Sequence, residues 1–309
     1  MLKRRKSTRQ IREALTGPCP SLRTTFNQDG SIDYDGLANS IDVMLGAGAK
    51  NIIITHGDSL LSLLTEKEIA ELTKFVVEYV HGRSLVVAAT GIWSTPQTED
   101  FAKYCSETGA GMLMVLPCDW GGSCTIDTLV CHYAKAAEHI PVMLVTNYLG
   151  KGARTPAFAS ELFSRLYDGV PGVVSVKDDV CELFARKLCI STNDRWSIIA
   201  GGWKDNHFNM LPYGVDGYLS LFITIKPEIS WNYFNAARSG DYKTAADIIK
   251  HYDMPLRNAI ITGFNFDAAI HGILELLGIA KRYRRLPYNS LCDEDMEKLK
   301  QKLHSIDIL

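Results

Sequence analysis

Eight apolar runs of strand length, separated by helical patterns, constrain this 309-residue chain more than any other feature. They occupy residues 20–26 (PSLRTTF), 51–55 (NIIIT), 84–90 (SLVVAAT), 111–117 (GMLMVLP), 141–147 (PVMLVTN), 172–178 (GVVSVKD), 196–202 (WSIIAGG) and 216–221 (DGYLSL). The runs are continuous rather than alternating, which is how parallel strands covered on both faces read. Between them, Leu37, Ile41 and Met44 share one helical face, as do Ile69, Leu72, Val76 and Val80. Thr65 with Glu68 forms a capping-box pattern, and Thr95-Pro96 and Thr155-Pro156 each open a helix. Eight such units in roughly 220 residues predict a (β/α)8 TIM barrel. An open doubly wound sheet is the alternative. No GxGxxG follows a strand, which counts against a dinucleotide fold. From residue 225 onward the pattern is purely helical. The expected division is therefore 1–224 as a barrel with a leading helix, and 225–309 as the last barrel helix with an appended C-terminal helical bundle.

One of these strands ends oddly. VSVKDD, residues 174–179, carries a lysine where a buried run stops. Either the strand has surfaced and Lys177 is solvated, or Lys177 is an amine held in an apolar pocket. In a barrel, catalytic side chains come from the C-terminal ends of strands and the loops beyond them. That rule gathers Thr24, Thr25, Thr55, His56, Gly57, Asp58, Thr90, Cys118, Asp119, Trp120, Thr146, Asn147, Tyr148, Lys177, Asp178, Gly201, Gly202, Trp203 and Ser220. A lysine there, desolvated by barrel layers, would have a lowered pKa and a free amine able to attack a carbonyl. The resulting imine is an electron sink, so no metal and no organic cofactor is needed. Thr55, His56 and Gly57 offer hydroxyl and backbone N–H groups to a carboxylate, and Gly201-Gly202 permits close backbone approach. Trp93, Trp120 and Trp203 either line a pocket or pack barrel against loops. Asp178 and Asp179 read as loop or helix-cap residues. His207 reads equally as a mouth residue or as the first turn of a helix.

Composition narrows the partners. The net charge of −2 points to neither nucleic acid nor an anionic membrane. No apolar run approaches the roughly 18 residues of a membrane span. The basic start, MLKRRKSTRQIREAL, has no apolar core of a secretory signal and reads as a solvated leading helix. Eight cysteines without a CxxC read as reduced thiols in a cytoplasmic protein, and Cys118, Cys124 and Cys131 lack the spacing of a zinc site.

TTFNQDGSIDYDGL, ITHGDSLLSLLTEKE, GVVSVKDD, IIAGG with YGVDGYLSL, AAIHGILELLG and YRRLPYNSL occur in an order that resembles the dihydrodipicolinate synthase / N-acetylneuraminate lyase family of Schiff-base aldolases. The resemblance implies a barrel with C-terminal helices, assembled as dimers or tetramers. It implies Lys177 as the imine-forming residue acting on pyruvate or another 2-oxo acid, with an aldehyde as second substrate of an aldolase. It implies Thr55 as proton relay and His56 at the carboxylate-binding position. The family's catalytic tyrosine aligns with Val145, its Arg-Thr pair with Arg154-Thr155, and its partner-lent tyrosine with Asp119 or Trp120. The usual relay of threonine and two tyrosines is therefore absent. His56, Tyr148 and Asp119 become the candidate acids and bases. Thr146, Arg154, Gly201, Gly202 and Trp203 join Thr55, His56 and Gly57 as candidate substrate-binding residues. Three readings follow: a lyase or hydro-lyase with a rewired relay, a genuine dihydrodipicolinate synthase using Tyr148, or a non-catalytic 2-oxo-acid-binding protein.

Overall fold

The computed structural model describes residues 6–150 and 154–309. Nine parallel segments form one sheet: β1 (Gly17–Cys19), β2 (Ser21–Leu22), β3 (Asn51–Ile54), β4 (Leu85–Trp93), β5 (Met112–Pro117), β6 (Val142–Val145), β7 (Val173–Asp178), β8 (Ser197–Ala200) and β9 (Gly217–Leu219). β1 pairs with β9 and β2 with β3. The two short pieces are one strand interrupted at Pro20, whose carbonyl still accepts from Ile53 N–H at 3.1 Å. The sheet thus closes as an eight-membered (β/α) ring. Continuous apolar runs produce this because each strand is covered inside by barrel layers and outside by helices; β3, β5, β7 and β8 are buried at every residue.

The first strand lies earlier than residues 20–26. Gly17-Pro18-Cys19 supplies its first half, too short and too proline-rich to read as a strand. Thr24 and Thr25 fall beyond it, and their hydroxyls brace loops by donating to the Ser59 and Asp33 carbonyls. Thr65 caps the helix Glu66–Val80 in a box with Glu68, and Thr155 caps Pro156–Gly169. At the third helix the cap is Ser94, one residue before the expected Thr95, with Gln97 completing the box.

A leading helix, Thr8–Leu15, lies across the start of the barrel with Ile11 and Leu15 buried. Arg12 donates to the carbonyls of Asn193 and Trp196 just before β8, and sits 3.5 Å from Asp216 just before β9. That end is thus covered, and the C-terminal end carries the opening. No helix among the described residues is long and apolar enough to cross a membrane.

After β9 come helices Phe222–Ile225, Pro227–Ser239, Tyr242–Ile248, Met254–Ile261, Phe266–Leu276 and Asp293–Ser305. They bury a second apolar cluster that includes Phe222, Leu256, Ile270, Ile273, Leu299 and Leu303. Arg285, from the RRLP stretch, forks onto both Glu68 oxygens at 2.8 and 2.9 Å, tying this layer to the barrel's outer helices. Residues Ile249–Asp253 form a π-turn. Pro255, two residues on, lacks the N–H that would close an α-turn onto His251, so the chain widens there. The widened turn brings Asp253 inward, 3% exposed.

Candidate active site

The C-terminal ends of the strands enclose a cavity of about 480 Å³. Lys177, the fifth residue of β7, is 9% exposed and faces it. Its Nζ donates to both oxygens of Asp179, at 2.7 and 2.5 Å. The environment expected for this amine was apolar; the structure places an aspartate against it. The preceding Asp178 ends β7 and braces the turn: it accepts from Cys181 N–H at 2.9 Å, Val180 N–H at 3.3 Å and the Thr146 hydroxyl at 2.9 Å. Burial pushes the Asp178 carboxyl pKa up, and those donors act against it. Thr146 completes the brace, its oxygen accepting from the Asp179 and Val180 N–H groups at 2.7 and 3.2 Å. Thr146 is fully buried and outside the cavity lining, because its hydroxyl is consumed in holding the Lys177–Val180 turn.

Gly201 is needed for this arrangement. A Cβ there would collide with the Asp179 carboxylate. The close approach expected of Gly201-Gly202 is therefore that of Asp179, on the neighbouring strand. Gly202 adopts a left-handed φ of +77° as the chain turns toward Trp203. Trp203 lines the cavity, edge-on to Phe266 with ring centroids 6.1 Å apart.

Across the barrel is the turn after β3. Counting round the ring, β3 is four strands from β7 in either direction (β4, β5, β6, β7 or β2/β1, β9, β8, β7). Thr55 anchors this turn: its N–H donates to Ser59 Oγ at 3.0 Å and its Oγ1 accepts from Asp58 N–H at 3.1 Å. The N–H groups of His56 and Gly57 have no acceptor among the described residues. Two unclaimed donors on a turn make an anion cradle. The His56 ring also lines the cavity. Burial lowers its pKa from the usual 6.5, partly offset by a hydrogen bond to the Thr90 backbone, and its Nδ1 has no partner. Tyr148 closes a short 3-10 turn, Thr146–Tyr148, and its ring stands perpendicular to His56 with centroids 6.3 Å apart. Burial raises the Tyr148 pKa, with Asp179 acting in the same direction and Lys177 against it. Val145, aligned with the family's tyrosine, is the lateral partner of Lys177 in the sheet and presents an apolar wall.

Besides Thr146, two candidates are not brought to the cavity. Asp119 and Arg154 bind each other at 2.5 Å. Asp119 further accepts from Cys124 N–H, and Arg154 lies 4.1 Å over the Phe158 ring. They staple two neighbouring loops, so Asp119 is corrected as an acid/base candidate and Arg154 as a substrate ligand. Residues 151–153, within the stretch that aligns with the family's arginine motif, lie outside the described residues. His207 is fully buried beneath the mouth, bonded to the Tyr233 hydroxyl at 2.9 Å, with burial depressing its pKa to about 3. Trp93 packs edge-on to Phe101, and Trp120 is 90% exposed. Among the described residues, Glu99, Glu138 and His139 stand close enough to share a metal ion, but on outer helices where Lys135 already pairs with both glutamates.

The cavity also contains groups that strand-end reasoning missed. Lys204 and Asp253 form a buried ion pair in its wall, with Lys204 N–H donating to Asp253 at 3.0 Å. The Lys204 ammonium lies 4.1 Å over the Phe222 ring. Arg23 and Ser21, at the end of β2, line it as well. Lys204 follows a Gly-Gly turn and Arg23 an apolar run, so only the position past a strand end signalled either.

The sequence matches the dihydrodipicolinate synthetase family over residues 14–306. A 4-hydroxy-tetrahydrodipicolinate synthase from Methanopyrus kandleri is 25% identical over 300 residues, covering 96% of this chain and 97% of that protein. Among solved structures, N-acetylneuraminate lyase from Fusobacterium nucleatum superposes with a TM-score of 0.84 at 16% identity, covering 95% and 99% of the two chains. YagE from Escherichia coli K12, solved in complex with pyruvate, superposes with a TM-score of 0.81 at 24% identity, covering 95% and 99%. With strand order, helical layer and sequence in agreement over nearly the whole chain, this protein belongs to the dihydrodipicolinate synthetase family.

Proposed function

We propose that the protein is a Schiff-base-forming lyase, an aldolase or hydro-lyase, acting on pyruvate or a 2-oxo sugar acid through an imine on Lys177. One observation carries this reading: Lys177 points into the cavity from the strand opposite two unclaimed N–H donors. A 2-oxo acid spans that gap with its carboxylate on His56 and Gly57 N–H and its ketone at the amine.

The chemistry follows from the contacts. Lys177 must lose a proton before it attacks, and Asp179 is in hydrogen-bond contact to receive it. Addition of the amine to C2 gives a carbinolamine, and loss of its hydroxyl as water gives the protonated imine. For a 4-hydroxy-2-oxo acid, removal of the C4 hydroxyl proton breaks C3–C4. The electron pair of that bond moves into the enamine, and the C4 fragment leaves as an aldehyde. Protonation at C3 and hydrolysis return pyruvate and the free amine. For a hydro-lyase, loss of a proton from C3 and of a hydroxide from C4 replaces the C–C cleavage. His56, kept neutral by burial, and Tyr148 are the groups in reach of these proton transfers, and they stand in for the missing relay. No metal or organic cofactor enters the scheme.

A second reading has its own support. Tyr148 lines the cavity three residues beyond Val145, so a displaced phenol is present for a 4-hydroxy-tetrahydrodipicolinate synthase, the name its archaeal relative carries. Assaying for the cyclic product of that name separates the two.

Eight free cysteines support a reducing, cytoplasmic setting. The 90% exposed Trp120 beside the mouth supports assembly into a homodimer or homotetramer, which sedimentation tests. The test of the imine is borohydride trapping: incubation with pyruvate, reduction, digestion and mass spectrometry. A reduced adduct on Lys177, missing in Lys177→Ala, supports the lyase. A folded protein that traps neither pyruvate nor larger 2-oxo acids sinks it and leaves the metabolite-binding reading.

A further inference from the structure

Three cations face the cavity, and each has an aspartate near it, but the three pairs differ in closeness. Lys177–Asp179 and Lys204–Asp253 are in direct hydrogen-bond contact. Arg23 and Asp58 approach only to 3.7 Å, beyond hydrogen-bond range. Arg23 is 8% exposed, and none of its guanidinium nitrogens has a hydrogen-bond partner among the described residues; its Nε is fully buried without one. A guanidinium carries five donors and stays charged; here its Nε is buried without a partner, and its remaining donors are left for the cavity.

The surroundings repeat the pattern. His271, on the helix Phe266–Leu276 that overlies Arg23, is fully buried, with both ring nitrogens unpartnered. Asp267 of the same helix feels the Arg23 charge but forms no ion pair with it within 4.0 Å. Arg23 itself lines the cavity, whereas His271 lies behind it, so the guanidinium is the group of this cluster that an acceptor arriving from outside can reach.

We infer that Arg23 receives a second acidic group of the substrate, a carboxylate or phosphate at the end remote from C1. This rests on the reading of the cavity as a 2-oxo-acid site and names its substrate class: dianions. Arg23 ends the strand next to the Thr55–Asp58 turn. From there β7 is three strands away one way round the ring (β9, β8, β7) and five the other (β3 to β7). A substrate whose C1 carboxylate lies on the turn and whose C2 is bonded to Lys177 extends its far end beneath Phe266 and Ile270, where the guanidinium waits. A planar fork suits either anion through two parallel hydrogen bonds. Asp58 and Asp267 oppose any anion there, and they set the specificity: a neutral far end offers the guanidinium nothing that competes with them.

The test separates this inference from the imine. Glutarate, which has two carboxylates and no ketone, is titrated against the protein by calorimetry beside butanoate, which has one. Glutarate binds the wild type more tightly than butanoate, and Arg23→Met lowers that ratio by about tenfold or more, as loss of a charge-assisted pair implies. Arg23→Lys recovers part of it. 3-Phosphonopropanoate in place of glutarate shows which of the two anions fits better. An equal loss for glutarate and butanoate, or no loss for either, overturns the inference, since Arg23 then serves the C1 carboxylate or only the helix above it. If Arg23→Met does not fold, Asp58→Asn decides: removing the negative charge 3.7 Å from the guanidinium raises glutarate affinity, and an unchanged affinity refutes the inference. Glutarate bound through Arg23 by a protein that never traps pyruvate would sink the imine and leave the dianion site standing.

Discussion

Lys177 and Lys204 face the same cavity and each is held by an aspartate, but their surroundings differ in three ways. The Lys177 side chain is 11% exposed and Asp179 20%, whereas Lys204 and Asp253 are 2% and 4% exposed. Asp179 is two residues from its lysine, on the turn directly after the strand; Asp253 is forty-nine residues away, on a helix of the C-terminal layer. Asp179 holds its lysine through the side chain alone, whereas Asp253 also accepts the Lys204 backbone N–H, and Phe222 covers the ammonium. A partly open, local pair can exchange its proton and let the amine go. A sealed, long-range pair cannot, and it ties the barrel to the helices that roof it. Burial lowers the Lys204 pKa and raises that of Asp253, each opposed by the partner.

The comparison breaks or holds first on the two lysine deletions. Lys177→Met removes the borohydride adduct and turnover entirely, and costs less stability than the Lys204 change, because Asp179 keeps more contact with water than Asp253 does. Lys204→Met does the reverse. It leaves Asp253 buried and alone and costs about 3–5 kcal/mol in chemical denaturation, while the folded fraction still traps pyruvate on Lys177. The double change Lys204→Met with Asp253→Leu recovers most of that loss, because no bare charge is left behind. Trapping at Lys204 instead would exchange the two roles.

Tyr148→Phe sharpens the assignment of the relay. The adduct still forms, while turnover falls by about 10²–10⁴-fold, the range of a lost general acid or base. Unchanged turnover would return the work to His56. A smaller effect is expected at Gly201. In Gly201→Ala the added methyl meets the Asp179 carboxylate and moves it off Lys177, slowing single-turnover trapping by about 10²-fold. A rate within threefold of wild type would show that Asp179 is not needed for imine formation, and would make the Lys177 pair as structural as the other.

The same comparison shows what the sequence can carry. The barrel was legible because burial on both faces is written locally, in runs such as NIII and VMLV. Lys177 was legible because a charge at the end of such a run stands out. The first strand was misplaced because Gly17-Pro18-Cys19 has neither length nor β-branched residues. Asp178 and Asp179 both read as loop or helix-cap residues because the sequence does not show which of two adjacent aspartates turns inward; the register with β8 and the space at Gly201 decide it. Asp119 and Arg154 sit at plausible positions on neighbouring loops, but a carboxylate and a guanidinium that can reach each other will pair before reaching elsewhere. Lys204–Asp253 was out of view, since no local pattern joins a helix start to a π-turn far along the chain. His56, by contrast, was found by position alone, and its burial adds a property that can be measured.

That property gives the smallest effect and the closest check on the cavity's electrostatics. Because burial lowers the His56 pKa below 6.5, the ring stays neutral and able to accept a proton as pH falls past that value. Its contribution is lost only when pH drops through the lowered pKa. The acid limb of single-turnover trapping, followed with cyanoborohydride, is therefore centred below 6.5, and His56→Gln lacks that limb. The same sign governs folding. The folded chain takes up this proton less readily than the unfolded one, so the stability that depends on neutral His56 falls as pH drops below 6.5. An acid limb centred at or above 6.5 would mean that a negative charge dominates the ring's surroundings. Asp179 would then be acting on His56 rather than on Lys177, and the open pair would no longer be the site where the amine is released.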